Sequence, residues 1–215
     1  MSTSRRQQLH ELYDEIHEWA SGDDPELVPR RVIDRSLDAE VMLVGQALAR
    51  DTQRLSGLPY TFPNGEPSGG GRELARFLGR FDHSIDPDTK ARYAHSTDLV
   101  PRFPGRKPSG SGDKKPTTNE IAHCAPWLDR ETEIIAPRVV VLLGALPTRF
   151  FLERHAGQHA AKLREVAGTE IPVSIEATRA AAFPVYHPSG AWQFPRQAPA
   201  AFERAAQAIR TTLTS

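Results

Sequence analysis

The feature that most constrains the fold is an apolar run in the second half of the chain, Val139-Val140-Val141-Leu142-Leu143, which ends at Gly144. A strand without polar alternation has both faces buried, as at the centre of a parallel sheet, and its β-branched residues favour extended backbone. A helical pattern follows directly, from Ala145 to about His155. These residues predict a central parallel strand that feeds a helix, which is the repeating unit of an α/β domain.

Strands and helices are predicted to alternate along the rest of the chain. Short apolar runs predict further strands at Ala39 to Val44, 94 to 101 and Ala181 to Tyr186. Apolar residues at three- and four-residue steps predict helices at 5 to 20, from Glu73 to Leu78, from Thr117 to Pro137 and at 198 to 213. We expect one domain over residues 1–215, with 1–38 as an N-terminal helical extension. The expected architecture is a three-layer α/β/α sandwich with a short, mostly parallel central sheet.

Charge and cysteine content narrow the function classes. Lys and Arg number 27 and Asp and Glu number 27, so no global positive field indicates nucleic acid, and any such contact requires a local patch. The one cysteine, Cys124, excludes an internal disulfide framework. The N-terminus lacks an apolar signal segment and no 18 apolar residues run together. We therefore expect no membrane span and a cytoplasmic location.

Three polar positions fall at the ends of predicted strands. They are Gly45-Gln46, Asp98 and His187, the last of which is followed by Pro188 and Ser189. Ligands of open α/β sheets bind beyond the carboxyl ends of the strands. We therefore expect these distant segments to converge on one pocket.

Two segments could contact phosphate. Ser68-Gly69-Gly70-Gly71 precedes a predicted helix, whose first turn offers free backbone N–H groups and the positive end of the helix dipole. The loop from Arg102 to Pro116 is rich in Lys and Arg, but its Gly, Ser and Pro content is equally typical of a solvated or disordered excursion. A nucleotide-binding P-loop is disfavoured, because the glycine run lacks the Gly-Lys-Ser/Thr ending.

Several ordered pieces resemble the uracil-DNA glycosylase superfamily, over roughly residues 39 to 210. Gly45-Gln46 and Gly57-Leu58-Pro59-Tyr60 align with the Gly-Gln-Asp-Pro-Tyr-His motif and the Gly-Leu-x-Phe segment of the ubiquitous enzymes, and His187-Pro188-Ser189 begins their late His-Pro-Ser-Pro-Leu-Ser motif. The middle of the chain is similar to the iron–sulfur branch, with its Glu-x-x-x-Cys helix and Pro-x-Val-x-x-x-Leu-Gly strand. The matching segments are Glu120 to Cys124 and Pro137 to Gly144.

The resemblance implies a DNA glycosylase that flips a damaged or modified base, uracil or a related one, and hydrolyses its N-glycosidic bond to leave an abasic site. His187 would stabilise the departing base anion, and Gln46 would present its backbone N–H and amide to a base carbonyl. The catalytic carboxylates of the two branches are missing, because their positions hold Ala47 and Gln46. Asp51 could act as a substitute base or cation stabiliser, or it could be an exposed loop aspartate.

The implied base-binding residues are Gln46, Ala47, Tyr60, Asp98 and His187. Tyr60 would stack on the flipped base, although it could instead be a core tyrosine. Asp98 stands where the superfamily has an asparagine that reads uracil. An ionised carboxylate can only accept and so suits cytosine's amine, whereas a protonated one could donate to O4 if an apolar pocket raised its pKa. The substrate base therefore stays open among uracil, a modified uracil, a deaminated purine and a modified cytosine.

The implied partner is damaged or modified DNA, single- or double-stranded. An apolar residue such as Trp192 or Phe194 would fill the base stack, unless both are buried under the last helix. No metal or cofactor is expected, because Cys124 alone cannot hold an iron–sulfur cluster and fits a small core residue. The oligomeric state is not predicted. The candidate DNA contacts are Ser68, Gly70, Arg72, Arg106, Lys107, Ser189 and Trp192.

A second function remains open, which is a catalytically silent member that binds uracil, abasic or single-stranded DNA. The two missing carboxylates favour it. The retained His187 and Tyr60 oppose it.

Overall fold

The computed structural model describes residues 4–22, 24–30, 32–109, 112–159, 161–175 and 178–215. Within these ranges six strands form the central sheet: β1 Val41–Ala47, β2 His83–Ser84, β3 Arg92–Val100, β4 Val139–Leu143, β5 Ile171–Ile175 and β6 Thr178–Val185. Their order is β2-β3-β1-β4-β6-β5. Neighbouring strands are parallel except for β5, which runs antiparallel to β6. The predicted mostly parallel sheet is confirmed, and β4 is one of its central strands.

Helices cover both faces of this sheet. They are α1 Arg5–Ser21, α2 Gln53–Ser56, α3 Gly69–Gly79, α4 Thr118–Ile135, α5 Ala145–Ala156, α6 Leu163–Val166 and α7 Gln197–Thr214, with 3₁₀ turns at Asp34–Asp38 and Pro188–Gln193. On one face Val41 and Leu43 of β1 pack in a cluster with α3 and α7. On the other face Met42 and Val44 pack in a cluster with α4 and α5. Successive strand residues point to opposite faces, so this pattern gives the predicted three-layer α/β/α sandwich.

The start of α4 follows from local chemistry. The Thr117 hydroxyl accepts from the Glu120 backbone N–H at 3.2 Å, and the Glu120 carboxylate accepts from the Thr117 backbone N–H at 2.8 Å. This reciprocal pair satisfies two N–H groups that a helix start otherwise leaves unbonded. This capping box confirms the predicted start of the helix at Thr117.

Several predicted boundaries differ from the structure, and two of these differences bear on the pocket. β1 continues through Gly45 and Gln46 to Ala47, because Gly45 and Ala47 still pair with β3. The glycines at 69 to 71 lie inside α3 rather than before it, since the Ser68 hydroxyl caps this helix by accepting from the Gly71 N–H at 3.1 Å. The short helices α2 and α6, the strands β2 and β5 and the two 3₁₀ turns were not predicted.

The N-terminal segment packs against α4 and β3. Leu9, Leu12 and Ile16 of α1 are buried in a cluster that includes Tyr93 and Ile135. The division into one domain with residues 1–38 as an extension stays a prediction. No helix in the described ranges is long and apolar enough to cross a membrane.

Candidate active site

A cavity of about 1050 Å³ opens beyond the carboxyl ends of β1, β3 and β6. The structure thus brings together residues as far apart in the sequence as Gln46 and Trp192. The predicted site residues along its wall are Gln46, Ala47, Asp51, Tyr60, Ser68, Gly70, Asp98, Arg106, His187, Ser189 and Trp192. Two candidates do not lie on it. The Arg72 guanidinium donates to the Pro67 carbonyl at 2.9 Å, and Lys107 is an exposed residue of the loop after β3.

His187 is held in a defined tautomer at the end of β6. Its Nδ1 accepts from the backbone N–H of Ser189 at 3.2 Å. A backbone N–H only donates, so Nδ1 carries no proton and the neutral ring carries it on Nε2. Burial lowers the His187 pKa, which favours that neutral ring. The side chain therefore presents a neutral N–H donor from Nε2.

Gly144 makes room for this histidine. It has a φ of 100°, a region that side chains rarely adopt, and a Cβ added to it would lie 3.3 Å from the Cβ of His187. Glycine is therefore needed after β4 on two grounds. Its positive φ turns the chain into α5, and its lack of a side chain leaves room for His187 at the end of β6.

Tyr60 faces His187 across the pocket. Its hydroxyl lies 3.4 Å from His187 Nε2, and the two ring centroids are 6.2 Å apart. The residue has a positive φ of 56°, and its carbonyl accepts from the Ser68 N–H at 2.8 Å. A Cβ at Gly71 would lie 2.9 Å from that carbonyl. The glycine run therefore allows α3 to approach Tyr60 closely and fixes the aromatic wall of the pocket.

Asp98 lies opposite Gly45 in the paired strands. A Cβ at Gly45 would lie 2.2 Å from an Asp98 carboxyl oxygen, so only glycine leaves space for this side chain. Burial raises the Asp98 pKa to about 7, although the positive charge of Arg30 acts in the opposite direction. A substantial fraction of this carboxyl group is therefore protonated at neutral pH. That is the condition for donating to a base carbonyl.

No carboxylate lies at the end of β1, where the half-buried Gln46 and Ala47 line the pocket. Asp51 lies on the rim with 62% of its side chain exposed, and it is 3.4 Å from Arg50. Its role as substitute base stays a prediction. Asp113 is a further carboxylate on the pocket wall, in addition to Asp51, Glu73 and Asp98. Sequence reasoning missed it, because nothing in the polar loop around it distinguishes it from a solvated residue.

The start of α3 meets the turn after His187. A Cβ at Gly70 would lie 2.2 Å from the Ser189 hydroxyl, so this hydroxyl lies directly against the first turn of the helix. Ser68 caps the same turn. Two hydroxyls and a helix N-terminus are thus collected on one side of the pocket, an arrangement that suits a phosphate.

The described part of the loop from 102 to 116 forms a small hairpin, and residues 110 and 111 lie outside the described residues. Arg106 and Asp113 face each other in an antiparallel bridge, and the Lys114 N–H donates to the Gly105 carbonyl at 2.8 Å. Arg106 and Lys114 line the pocket. Arg102 does not join them, because it pairs with Glu120 at 2.6 Å and stacks over Trp19.

Trp192 stands out from the turn Pro188–Gln193. Its exposed fraction is 77%, so the alternative that it is buried under the last helix is wrong. Phe194 is 42% exposed and its ring lies 4.8 Å from that of Tyr186. Of the two aromatic residues, Trp192 is therefore the one that is free to enter a base stack.

The surroundings of Cys124 do not fit an iron–sulfur cluster. Burial raises the pKa of its thiol to about 12, whereas a cluster ligand must be a thiolate. Across the described ranges no three His, Cys, Asp or Glu side chains are arranged to hold a metal ion. Cys124 lies in the apolar cluster between β1 and α4, which agrees with a core residue.

Comparison with known proteins agrees with this geometry. The model of the Uracil DNA glycosylase superfamily matches residues 34–210. The type-5 uracil-DNA glycosylase of Pyrobaculum aerophilum is 30% identical over 159 residues, which are 71% of this chain and 62% of that protein. The type-4 enzyme of Sulfurisphaera tokodaii is 30% identical over 79 residues, 37% of this chain and 36% of that protein. The type-4 enzyme of Saccharolobus solfataricus is 24% identical over 153 residues, 71% of this chain and 62% of that protein. The chain thus matches less than two thirds of the length of each relative.

Proposed function

The chain belongs to the uracil-DNA glycosylase superfamily, and from that premise we propose that it is a monofunctional DNA glycosylase. It flips a damaged or modified base out of DNA and hydrolyses the N-glycosidic bond, so that an abasic site is left. Family members act on DNA, and the curated relatives are named as uracil-DNA glycosylases. The chain has one cysteine and so needs no oxidising compartment for an internal disulfide, and DNA repair takes place inside the cell. We therefore propose a cytoplasmic location.

The observation that carries the proposal is the fixed N–H donor of His187. When the bond between the sugar C1′ and the base nitrogen breaks, its electron pair leaves with the base and the sugar becomes an oxocarbenium ion. A neutral N–H group that donates a hydrogen bond to the base carbonyl where the negative charge collects lowers this barrier. It does so without transferring its proton to the base. The Ser189 N–H that holds Nδ1 supplies that preorganisation.

Base selection is proposed to lie with Tyr60, Asp98 and Gln46. Tyr60 offers its ring face to the flipped base. Asp98, when protonated, donates to a carbonyl such as O4 of uracil, and Gln46 contacts a second carbonyl with its backbone N–H or amide. We therefore propose uracil or a 5-modified uracil as the preferred base near neutral pH. An amine-bearing base is favoured only where Asp98 is ionised.

The DNA strand is proposed to follow the side of the pocket that holds Ser68, Gly70 and Ser189, with Arg106 and Arg72 contacting neighbouring phosphates and Lys107 reaching the backbone from the hairpin. Trp192 fills the stack that the flipped base leaves. Water then attacks C1′ and loses a proton, and Asp51 on the rim is the proposed acceptor.

The second candidate is a silent DNA-binding member. It is favoured by one observation, which is that Gln46 and Ala47 end β1 where a carboxylate would orient water. The two candidates share the pocket and differ only in turnover.

A base panel separates them. Single- and double-stranded oligonucleotides that carry uracil, hydroxymethyluracil, xanthine, hypoxanthine or modified cytosines are incubated with excess protein, and abasic sites are cleaved with alkali. We expect excision in wild type and a loss of about 100- to 1000-fold in His187→Ala, the range for removing one preorganised oxyanion donor. Binding of the same oligonucleotides is measured in parallel.

His83→Ala is the matched control, because His83 on β2 is also a buried histidine, but its ring bonds the Phe81 carbonyl and it does not line the pocket. It should keep the wild-type excision rate per folded molecule. If the wild type binds uracil-containing DNA but cleaves none of the panel, the protein is the silent member. If His187→Ala excises as fast as wild type, the donor has no part in catalysis.

A further inference from the structure

A buried polar cluster lies directly behind Asp98, and it joins the N-terminal segment to β3 and α4. The Arg30 guanidinium forms an ion pair with Glu131 at 2.9 Å and donates to the Thr97 hydroxyl at 3.0 Å and to the Ser96 carbonyl. The exposed fractions of the Arg30 and Glu131 side chains are 15% and 2%. One cation and one anion are therefore held out of water next to the residue proposed to read the base.

Among the described residues, three other polar side chains besides Arg30 lie within hydrogen-bond distance of the Glu131 carboxylate. It accepts from the Tyr13 hydroxyl at 2.7 Å and from the Thr97 hydroxyl at 2.5 Å, and it lies 2.8 Å from His95 Nε2. Burial by itself would raise the Glu131 pKa, but Arg30 and these hydrogen bonds outweigh it and lower the pKa to about 2. Burial lowers the pKa of His95. The cluster is thus a charged Arg30–Glu131 pair with neutral hydrogen-bonding neighbours.

Asp98 and Arg30 line the same small cavity, of about 20 Å³, without an ion pair between them. The side chains lining it include Tyr13, His17 and Gln53. Charges that face each other across a gap in a low-dielectric interior interact more strongly than the same charges in water. Arg30 can therefore act on Asp98 through space while its own hydrogen bonds are made to Glu131 and β3.

Stability alone gives a weak reason for such a pair. Desolvation of two buried charges offsets most of their attraction, and apolar residues of similar volume often replace a buried pair without loss. The position of this pair supplies a different reason, because both members bond the hydroxyl of Thr97, the residue before Asp98 on β3. The electrostatic field at Asp98 is the sum of opposing contributions from the Arg30 cation and the Glu131 anion.

We propose that the Arg30–Glu131 pair sets the charge state of Asp98, which makes Arg30 a specificity-determining positioning residue contributed by the N-terminal segment. The base-selection half of this inference rests on the proposed function. The electrostatic half concerns the free protein. It implies that the two members of the pair have opposite effects, because Arg30 favours the ionised carboxyl and Glu131 the protonated one.

Other groups also face Asp98, and each belongs to a different element. Tyr60 comes from the loop after α2, His187 from the turn after β6, and His17 from α1 through the small cavity. Gly45 and Gln46, the β1 residues beside it, have no titratable side chain. His17→Gln tests whether a neighbouring histidine, rather than the ion pair, governs Asp98.

The experiment is a pH titration of the ¹³C-labelled aspartate carboxyl groups by NMR, in which the Asp98 signal is the one lost in Asp98→Asn. We expect a wild-type midpoint near 7. Arg30→Gln should raise it and Glu131→Gln should lower it, each by roughly one pH unit or more, and the double variant should return it close to wild type. Arg30→Lys keeps the charge and should keep the midpoint. His17→Gln should also keep it.

The second measurement is base excision. The ratio of uracil to amine-bearing base excised at about pH 7 should rise in Arg30→Gln and fall in Glu131→Gln, each by roughly tenfold.

If the ion pair had only a structural role, the two single variants would not shift the Asp98 midpoint, or the excision ratio, in opposite directions. If the two single variants shift the Asp98 midpoint the same way or not at all, or if His17→Gln alone moves it, the inference is wrong even where uracil is excised. If no base is excised while the midpoints move apart as expected, the proposed function fails and the control of Asp98 by Arg30 stands. Should Arg30→Gln not fold, Glu131→Gln and Arg30→Lys still decide the matter.

Discussion

Replacing Asp98 by asparagine should make the protein more stable, and by more at high pH than at low pH. The Asp98 pKa rises from 3.8 to about 7 on folding, chiefly through burial. Between these values the folded state holds a proton that the unfolded chain releases, so stability is full below the lower value and falls until pH passes the upper one. One pKa unit corresponds to about 1.4 kcal/mol, so the wild type should lose roughly 2.6 kcal/mol relative to Asp98→Asn between about pH 5 and about pH 8. Solvent contact at this partly buried carboxyl reduces the expected difference to about 1.5–2.5 kcal/mol.

Urea unfolding of both proteins, followed by tryptophan fluorescence at four or five pH values, measures this difference directly. Asparagine has nearly the shape of aspartate and does not titrate, so subtracting the two curves removes the contributions of every other ionisable group. Parallel curves across this range would show that Asp98 is ionised in the folded protein. An ionised Asp98 cannot donate to a base carbonyl, and the assignment of uracil as the preferred base would be lost with it.

Two further substitutions test the DNA-contact side of the pocket. Gly70→Ala places a Cβ 2.2 Å from the Ser189 hydroxyl, so it should cost about 1–3 kcal/mol of unfolding free energy, and adding Ser189→Ala should recover most of that loss. Urea midpoints of the wild type and these two variants check this, and a double variant as unstable as Gly70→Ala would show that this contact is not the cause. Trp192→Ala removes a side chain that is 77% exposed, so stability should change by less than about 0.5 kcal/mol. Fluorescence anisotropy should nevertheless show that the substitution weakens binding to duplex uracil DNA more than binding to single-stranded uracil DNA. An equal loss on both substrates would contradict a wedge that fills the duplex stack.

The layer architecture was predictable because its signals are local. The β4 run and the α4 capping box each lie within one element, and burial on both faces or a satisfied helix start leaves a pattern in consecutive residues. β5 was missed because it alternates buried and exposed residues over only five positions with Pro172 inside, and β2 is two residues long. Edge strands of this kind depend on pairing that the sequence pattern does not specify.

The convergence of Gln46, Asp98 and His187 was predictable from one rule, that parallel strands present their carboxyl ends together. The contacts behind the pocket were not. Arg30 and Glu131 are about 100 residues apart. The spacing from Leu128 and Ile135 puts Glu131 on the buried face of α4, but no pattern in the sequence indicates that its partner is Arg30. Arg102 was grouped with the phosphate-contacting loop, yet the structure pairs it with Glu120. Charged side chains find partners through tertiary packing, so composition identifies the charge but not the partner.

The missing carboxylates change where catalysis has to come from. With Gln46 and Ala47 at the end of β1, no carboxylate stands there to stabilise the sugar cation, and in the proposed mechanism the main help acts on the departing base. In the proposed arrangement His187 and Asp98 are both neutral donors, and they can share the negative charge of a pyrimidine between two carbonyl oxygens. The two donors fail under different conditions. His187 still donates from Nε2 if it gains a proton, whereas Asp98 stops donating once it ionises near pH 7. A decline in uracil excision above neutral pH would therefore report Asp98 and not the histidine, and it should be absent in Asp98→Asn.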